Sequence, residues 1–237
     1  MDTLDELVAE AYCLFAGYEM GDELGVCTAC CVQAEDAVLL KTLPLKAMSR
    51  DLIYEYLDAA AVPDDPLVIH QMKYLLPRIL ELMVQGEELR HSIEITLSKC
   101  SCGSTEWNAV DVEFMQRFAL AYFAKQFEGY NAAAQADDVL VMFHLTGLDV
   151  LPLLAYWREQ MASPMVLWGA VWLIERSDQK GLYNNPFADS VLKSMIANWL
   201  SQTDTRDAIR EALVDQIEIL KAAGLSIDCC EMIFDWI

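Results

Sequence analysis

The chain has little positive charge, little histidine and no long apolar run. Sixteen Lys and Arg stand against 37 Asp and Glu in 237 residues, a formal net charge of −21. The excess is even, −11 before residue 101 and −10 after it. Such a surface repels phosphate backbones and anionic lipid, so no nucleic acid and no membrane are expected as partners. A protein with a basic surface is the partner that this charge favours, and a homo-oligomer is compatible with it. The longest apolar run, from Pro164 to Ile174, stops at Glu175 and Arg176. That is short of the roughly 20 residues that cross a bilayer. Met1-Asp-Thr-Leu-Asp-Glu-Leu-Val lacks the basic region and apolar core of a secretory signal, which points to the cytoplasm.

Other absences remove whole classes of chemistry. No Gly-rich phosphate loop, no G-x-S-x-G elbow and no H-E-x-x-H pair occurs. Of three histidines, His91 shares a possible helix face with Glu88 and Glu94. A di-iron bundle needs a second Glu-x-x-His, which His70 and His144 do not provide. Those two sit in apolar stretches and read as core or boundary histidines. Alternating Val, Ile and Thr is scarce, and Ser92 to Leu97 is the one stretch that reads as either strand or helix.

What is present is helical period and apolar bulk. The hydrophobic fraction is 55%, too high for disorder. Val68, Met72, Leu75, Leu76, Ile79 and Met83 fall on one face of a helix. Phe114, Phe118, Ala121 and Tyr122 repeat the stripe, as do Ile209, Leu213, Ile217 and Leu220. Asp65-Pro66, Ser163-Pro164 and Asn185-Pro186 each pair an N-cap residue with proline at the first helical position. Helices are expected at 2–18, 49–61, 66–85, 87–98, 109–130, 137–146, 149–161, 164–178, 186–202 and 205–223, with a last turn near 228–236. The fold class is all-α: a compact multi-helix bundle or orthogonal array of about ten helices. One domain is expected over 1–237, with a soft boundary near 135. Tryptophans at helical spacing, Trp168 and Trp172 among them, read as core, and the apolar end Met232 to Ile237 as a docked segment.

Seven of the eight cysteines are clustered: Cys27-Thr-Ala-Cys30-Cys31, Cys100-Ser-Cys102 and Cys229-Cys230. Thiolates are strong soft-metal ligands and redox groups. A closed zinc site needs four ligands, and Cys27, Cys30, Cys100 and Cys102 supply four from two loops, with Cys31 in reserve. The 69 residues between the pairs exceed ordinary zinc-ligand spacing. The same thiols also suit plain burial, since free cysteine packs as a small apolar residue. Cys229-Cys230 reads as packing. A redox pair at Cys27 and Cys30 lacks the βαβ surroundings of a thioredoxin-like fold.

Cys27-x-x-Cys30, Leu43-Pro-Leu45, Tyr54-x-Tyr56-Leu57, Tyr74-Leu-Leu-Pro-Arg-Ile-Leu-Glu-Leu82, Trp107 and Phe118-Ala-Leu-Ala-Tyr-Phe123 together resemble a family of bacterial all-helical proteins, over residues 25 to 130. The resemblance implies a helical fold and a bacterial source, and brings no activity with it. Cys100-x-Cys102 is not a feature of that family. The expected function is a protein-binding or regulatory module without catalysis, of the kind that neutralises a toxin. The alternative is a metal-containing or thiol-dependent enzyme built on the Cys27/Cys30 and Cys100/Cys102 loops.

Overall fold

The computed structural model describes residues 2–177 and 183–222, and the fold is all-α. Among them are eleven α-helices and four 3₁₀ turns, with no strand and two isolated bridges, Val26 to Ala61 and Ser177 to Tyr183. Contacts divide the chain into two units, 1–122 with 145–148, and 123–144 with 149–237. The boundary expected near 135 falls inside a segment of the second unit. Among the described residues no helix is long and apolar enough to cross a membrane. Cys229, Cys230, the last turn and the apolar end lie outside the described residues.

In the first unit, α1 (Leu4–Leu14) starts at a capping box: Thr3 Oγ1 accepts from Glu6 N–H, and the Glu6 carboxylate accepts from Thr3 N–H. Leu7 and Ala11, one turn apart, are buried, and the helix packs on α4 (Pro66–Val84). Asp65 caps α4 by accepting from Leu67 N–H, with Pro66 behind it. The six-residue apolar stripe of α4 is buried as its period requires, and the helix runs on through Pro77. Between them lie α2 (Ala34–Thr42) and α3 (Arg50–Asp58). Helix α2 is one the periodicity does not announce.

The helix expected over 87–98 is instead two 3₁₀ turns, Ile93–Ile95 and Ser98–Cys100. Ser101, at φ 46°, ends the second. Ser92, extended at φ −150° and ψ 135°, interrupts the run, and beyond it the Lys99 ammonium donates to the carbonyls of Tyr56, Leu57 and Ala59 at the end of α3. Those carbonyls have no partner within their own helix. Glu88, His91 and Glu94 consequently share no helix face: Glu88 and His91 are exposed while Glu94 is buried. His91 pairs with Asp58 at 3.2 Å. His70, expected at the core or its boundary, is exposed against the ring of Tyr18.

Helix α5 (Ala109–Lys125) begins where Asn108 accepts from Asp111 N–H. Asp111 and Lys73 form an ion pair at 2.8 Å whose side chains are 5% and 2% exposed. Tyr18 Oη and the Glu106 carbonyl take two further protons of that ammonium, and the ring of Trp107 lies 4.7 Å from it.

The second unit contains α6 (Tyr130–Ala133), α7 (Ala136–Leu145), α8 (Leu151–Glu159), α9 (Pro164–Glu175), α10 (Ser190–Ser201) and α11 (Thr203–Ala222). Phe123, Phe127, Trp157 and Trp199 form its aromatic core. A Cβ on Gly169 would come 2.9 Å from the Ala133 carbonyl, so α6 and α9 meet only because that residue is glycine. Trp168 and Trp172 stack edge-on at 5.5 Å and are half-buried, while Val171 between them is buried. Asp137, 1% exposed, accepts from Tyr183 Oη and Arg176. It fastens the segment after α9 to α7. His144 pairs with Asp189 at 3.1 Å.

Candidate metal centre

The cysteine loop is held from behind by one amide. Gln71, fully buried on α4, donates to the carbonyls of Met20 and Glu23, and its oxygen accepts from Gly25 N–H and Tyr56 Oη. Every polar atom of that side chain is used. Gly25 allows the approach, because a Cβ there would lie 2.8 Å from Val68 Cγ2 and 3.0 Å from Val68 N. Val26 then bridges to Ala61, and Cys27 N–H donates to the Ala60 carbonyl at 2.7 Å. The chain turns through 28–31, and Val32 N–H closes the turn on the Cys27 carbonyl at 3.2 Å.

This turn gathers three thiols. Cys27 Sγ and Cys30 Sγ are 3.5 Å apart, and Cys30 Sγ and Cys31 Sγ 3.8 Å. All three sulfurs lie within 4.8 Å of one another, and the group can hold a metal ion. Tetrahedral thiolates at a metal–sulfur distance of about 2.3 Å are separated by about 3.8 Å, so little movement is needed to close around an ion. Cys30 is exposed, and Cys27 and Cys31 are half-buried.

The loop's own dipoles prepare the first thiolate. Backbone N–H groups of Cys30 and Ala29, then the thiols of Cys30 and Cys31, lower Cys27 to about 7. Cys27 and Cys31 push Cys30 up to about 11. Iodoacetamide should therefore modify Cys27 with a pH midpoint near 7, while Cys30 gains reactivity only at far higher pH. Timed quenching and peptide mass spectrometry measure this, and superimposable profiles for the two cysteines would contradict it. Behind the loop, burial and Arg90 lower Lys99 to about 8, against the opposing pull of Asp58 and Cys31. That lysine supplies positive charge on the protein side of the cluster.

Of the four expected ligands, Cys27 and Cys30 belong to this group, while Cys100 and Cys102 do not. Cys100 and Cys102 are 0% and 4% exposed. Burial raises the Cys100 thiol well above its usual value and Cys102 to about 12. They stay protonated and pack as apolar side chains. The residue missed in the four-ligand set is Cys31. Adjacent side chains diverge along a helix or strand, but a turn can fold them together.

A separate surface cleft of about 330 Å³ in the first unit is lined by Asp64, Ser101, Gly103, Ser104, Leu145, Thr146 and Gly147. It brings together no acid–base pair. Compared with protein-family models, with curated proteins and with solved structures, the chain matches none.

Proposed function

We propose that the chain binds a thiophilic d¹⁰ metal ion, zinc in the first instance, through the thiolates of Cys27, Cys30 and Cys31. The observation that carries this reading is the convergence of three sulfurs in one anchored, solvent-facing turn. A site with three protein ligands keeps a fourth position for water or an incoming ligand, as catalytic zinc sites do and closed structural sites do not. The negative charge of the chain attracts a cation, and Lys99 offsets part of the excess charge of three thiolates. Elemental analysis of reduced protein prepared without chelator tests the reading. About one ion per chain is expected for wild type, and a tenfold lower content for Cys30→Ser. Equal content in both would refute it.

A second reading is favoured by the exposed carboxylates of the first unit, Asp5, Glu6, Asp22, Glu23, Glu35, Asp51 and Asp58. They suit a basic protein partner, whose association would weaken steeply with salt. The two readings are compatible, since an ion at the turn can organise the surface beside it.

A further inference from the structure

We propose that Cys27 and Cys30 are also a thiol–disulfide exchange pair for small neutral or cationic disulfides, and that their oxidation discharges the ion. The second half of this inference rests on the metal reading above; the first half does not.

Geometry selects the pair. A disulfide needs a Cα–Cα separation of about 4.4–6.8 Å. Adjacent residues across a trans peptide are fixed at about 3.8 Å, which places Cys30 and Cys31 below that floor, and no peptide bond among the described residues is cis. Cys27 and Cys30 span a turn, where residues three apart fall within about 7 Å. Their sulfurs are already 3.5 Å apart, so bond formation at about 2.05 Å needs about 1.5 Å of approach. Thr28, Ala29 and Cys30 are exposed, which leaves the turn room to make that movement and gives a small disulfide access. Within the turn Cys31 lies within 4.8 Å of both sulfurs and competes for Cys27, but it is half-buried where Cys30 is exposed; outside the turn Cys100 and Cys102 are buried, and Cys13 stands on α1.

The exchange balances without another reagent. One thiolate of the pair attacks a sulfur of R–S–S–R, forming the mixed disulfide and releasing RS⁻. The second thiolate attacks the protein sulfur of that mixed disulfide and releases the other RS⁻. The chain loses two protons and two electrons, and the small disulfide becomes two thiols. Cys31 alone then remains of the three ligands, and one thiolate does not hold the ion. Because the chain carries −21, and Asp22, Glu23 and Glu35 flank the loop in sequence, an anionic disulfide meets repulsion that a cationic one does not.

The test uses the full reduced chain, zinc-loaded and metal-free, exposed to cystamine or to oxidised glutathione. Remaining thiols are counted by maleimide labelling, the linked peptide is identified by mass spectrometry, and bound zinc is measured. Expected are loss of two thiols, a Cys27–Cys30 linked peptide, at least a tenfold fall in bound zinc, and faster reaction with cystamine at low salt. Cys27→Ser, which leaves only the adjacent Cys30 and Cys31 in the turn, should stop at the mixed disulfide. Absence of the linked peptide from wild type overturns the exchange pair even where the reduced chain holds zinc. A linked peptide with zinc retained overturns the discharge. If the reduced chain holds no zinc, that arm refutes the metal reading and with it the discharge, while the linked peptide alone decides the exchange pair.

Discussion

Asp111→Ala is expected to lower the stability of the chain by about 3–5 kcal/mol, read as a large fall in the denaturant midpoint. The effect comes from what is left behind. Lys73 is 2% exposed, and its ammonium is balanced there by one carboxylate. Burial opposes that charge, and Asp111 and Tyr18 outweigh the burial, so its pKa lies above the usual lysine value. Without Asp111, a carbonyl, a phenol oxygen and two aromatic rings remain around an uncompensated charge. The paired replacement Lys73→Met with Asp111→Leu should recover most of the loss, since apolar side chains of similar volume often match a buried ion pair. A double-mutant cycle separates the two contributions. A fall of less than about 1 kcal/mol for Asp111→Ala would mean that the pair is solvated, against its burial.

Gln71→Leu should cost about 3 kcal/mol and also weaken the metal centre, although residue 71 touches no sulfur. Four partners lose their bonds at once: two donors, Gly25 N–H and Tyr56 Oη, and two acceptors, the carbonyls of Met20 and Glu23. Each buried group left unsatisfied costs about 1–3 kcal/mol, reduced where the loop can swing out to water. That same outward movement loosens the turn which gathers the thiols. Groups that orient ligands without binding the metal change affinity by about 10–100-fold when removed. A competition titration with a chromophoric chelator measures the weakening, and a destabilised variant with unchanged zinc affinity would show that the turn holds its shape without Gln71.

Much of the helical frame was legible because its signals are local. The apolar stripe of α4 and the Asp65-Pro66 start need only the sequence around them. Helix α2 carries no comparable stripe and buries Leu40 alone, so periodicity had nothing to register. The segment 87–98 differs for the opposite reason: its spacing is helical, but Ser92 is extended within it, and Lys99 just beyond is tied to three carbonyls of α3 some 40 positions away, neither of which spacing encodes. Cysteine clustering identified the loop, and the C-x-x-C turn identified Cys27 and Cys30. Membership of Cys31 and separation from Cys100 and Cys102 depend on how a turn folds and what lies inside the core, which spacing does not encode.

The most direct measurement of the central claim is X-ray absorption at the zinc edge of the reduced, loaded chain. Coordination by Cys27, Cys30 and Cys31 predicts three sulfurs at about 2.3 Å and one lighter ligand near 2.0–2.1 Å. A shell of oxygen and nitrogen alone, or of four sulfurs, would contradict it.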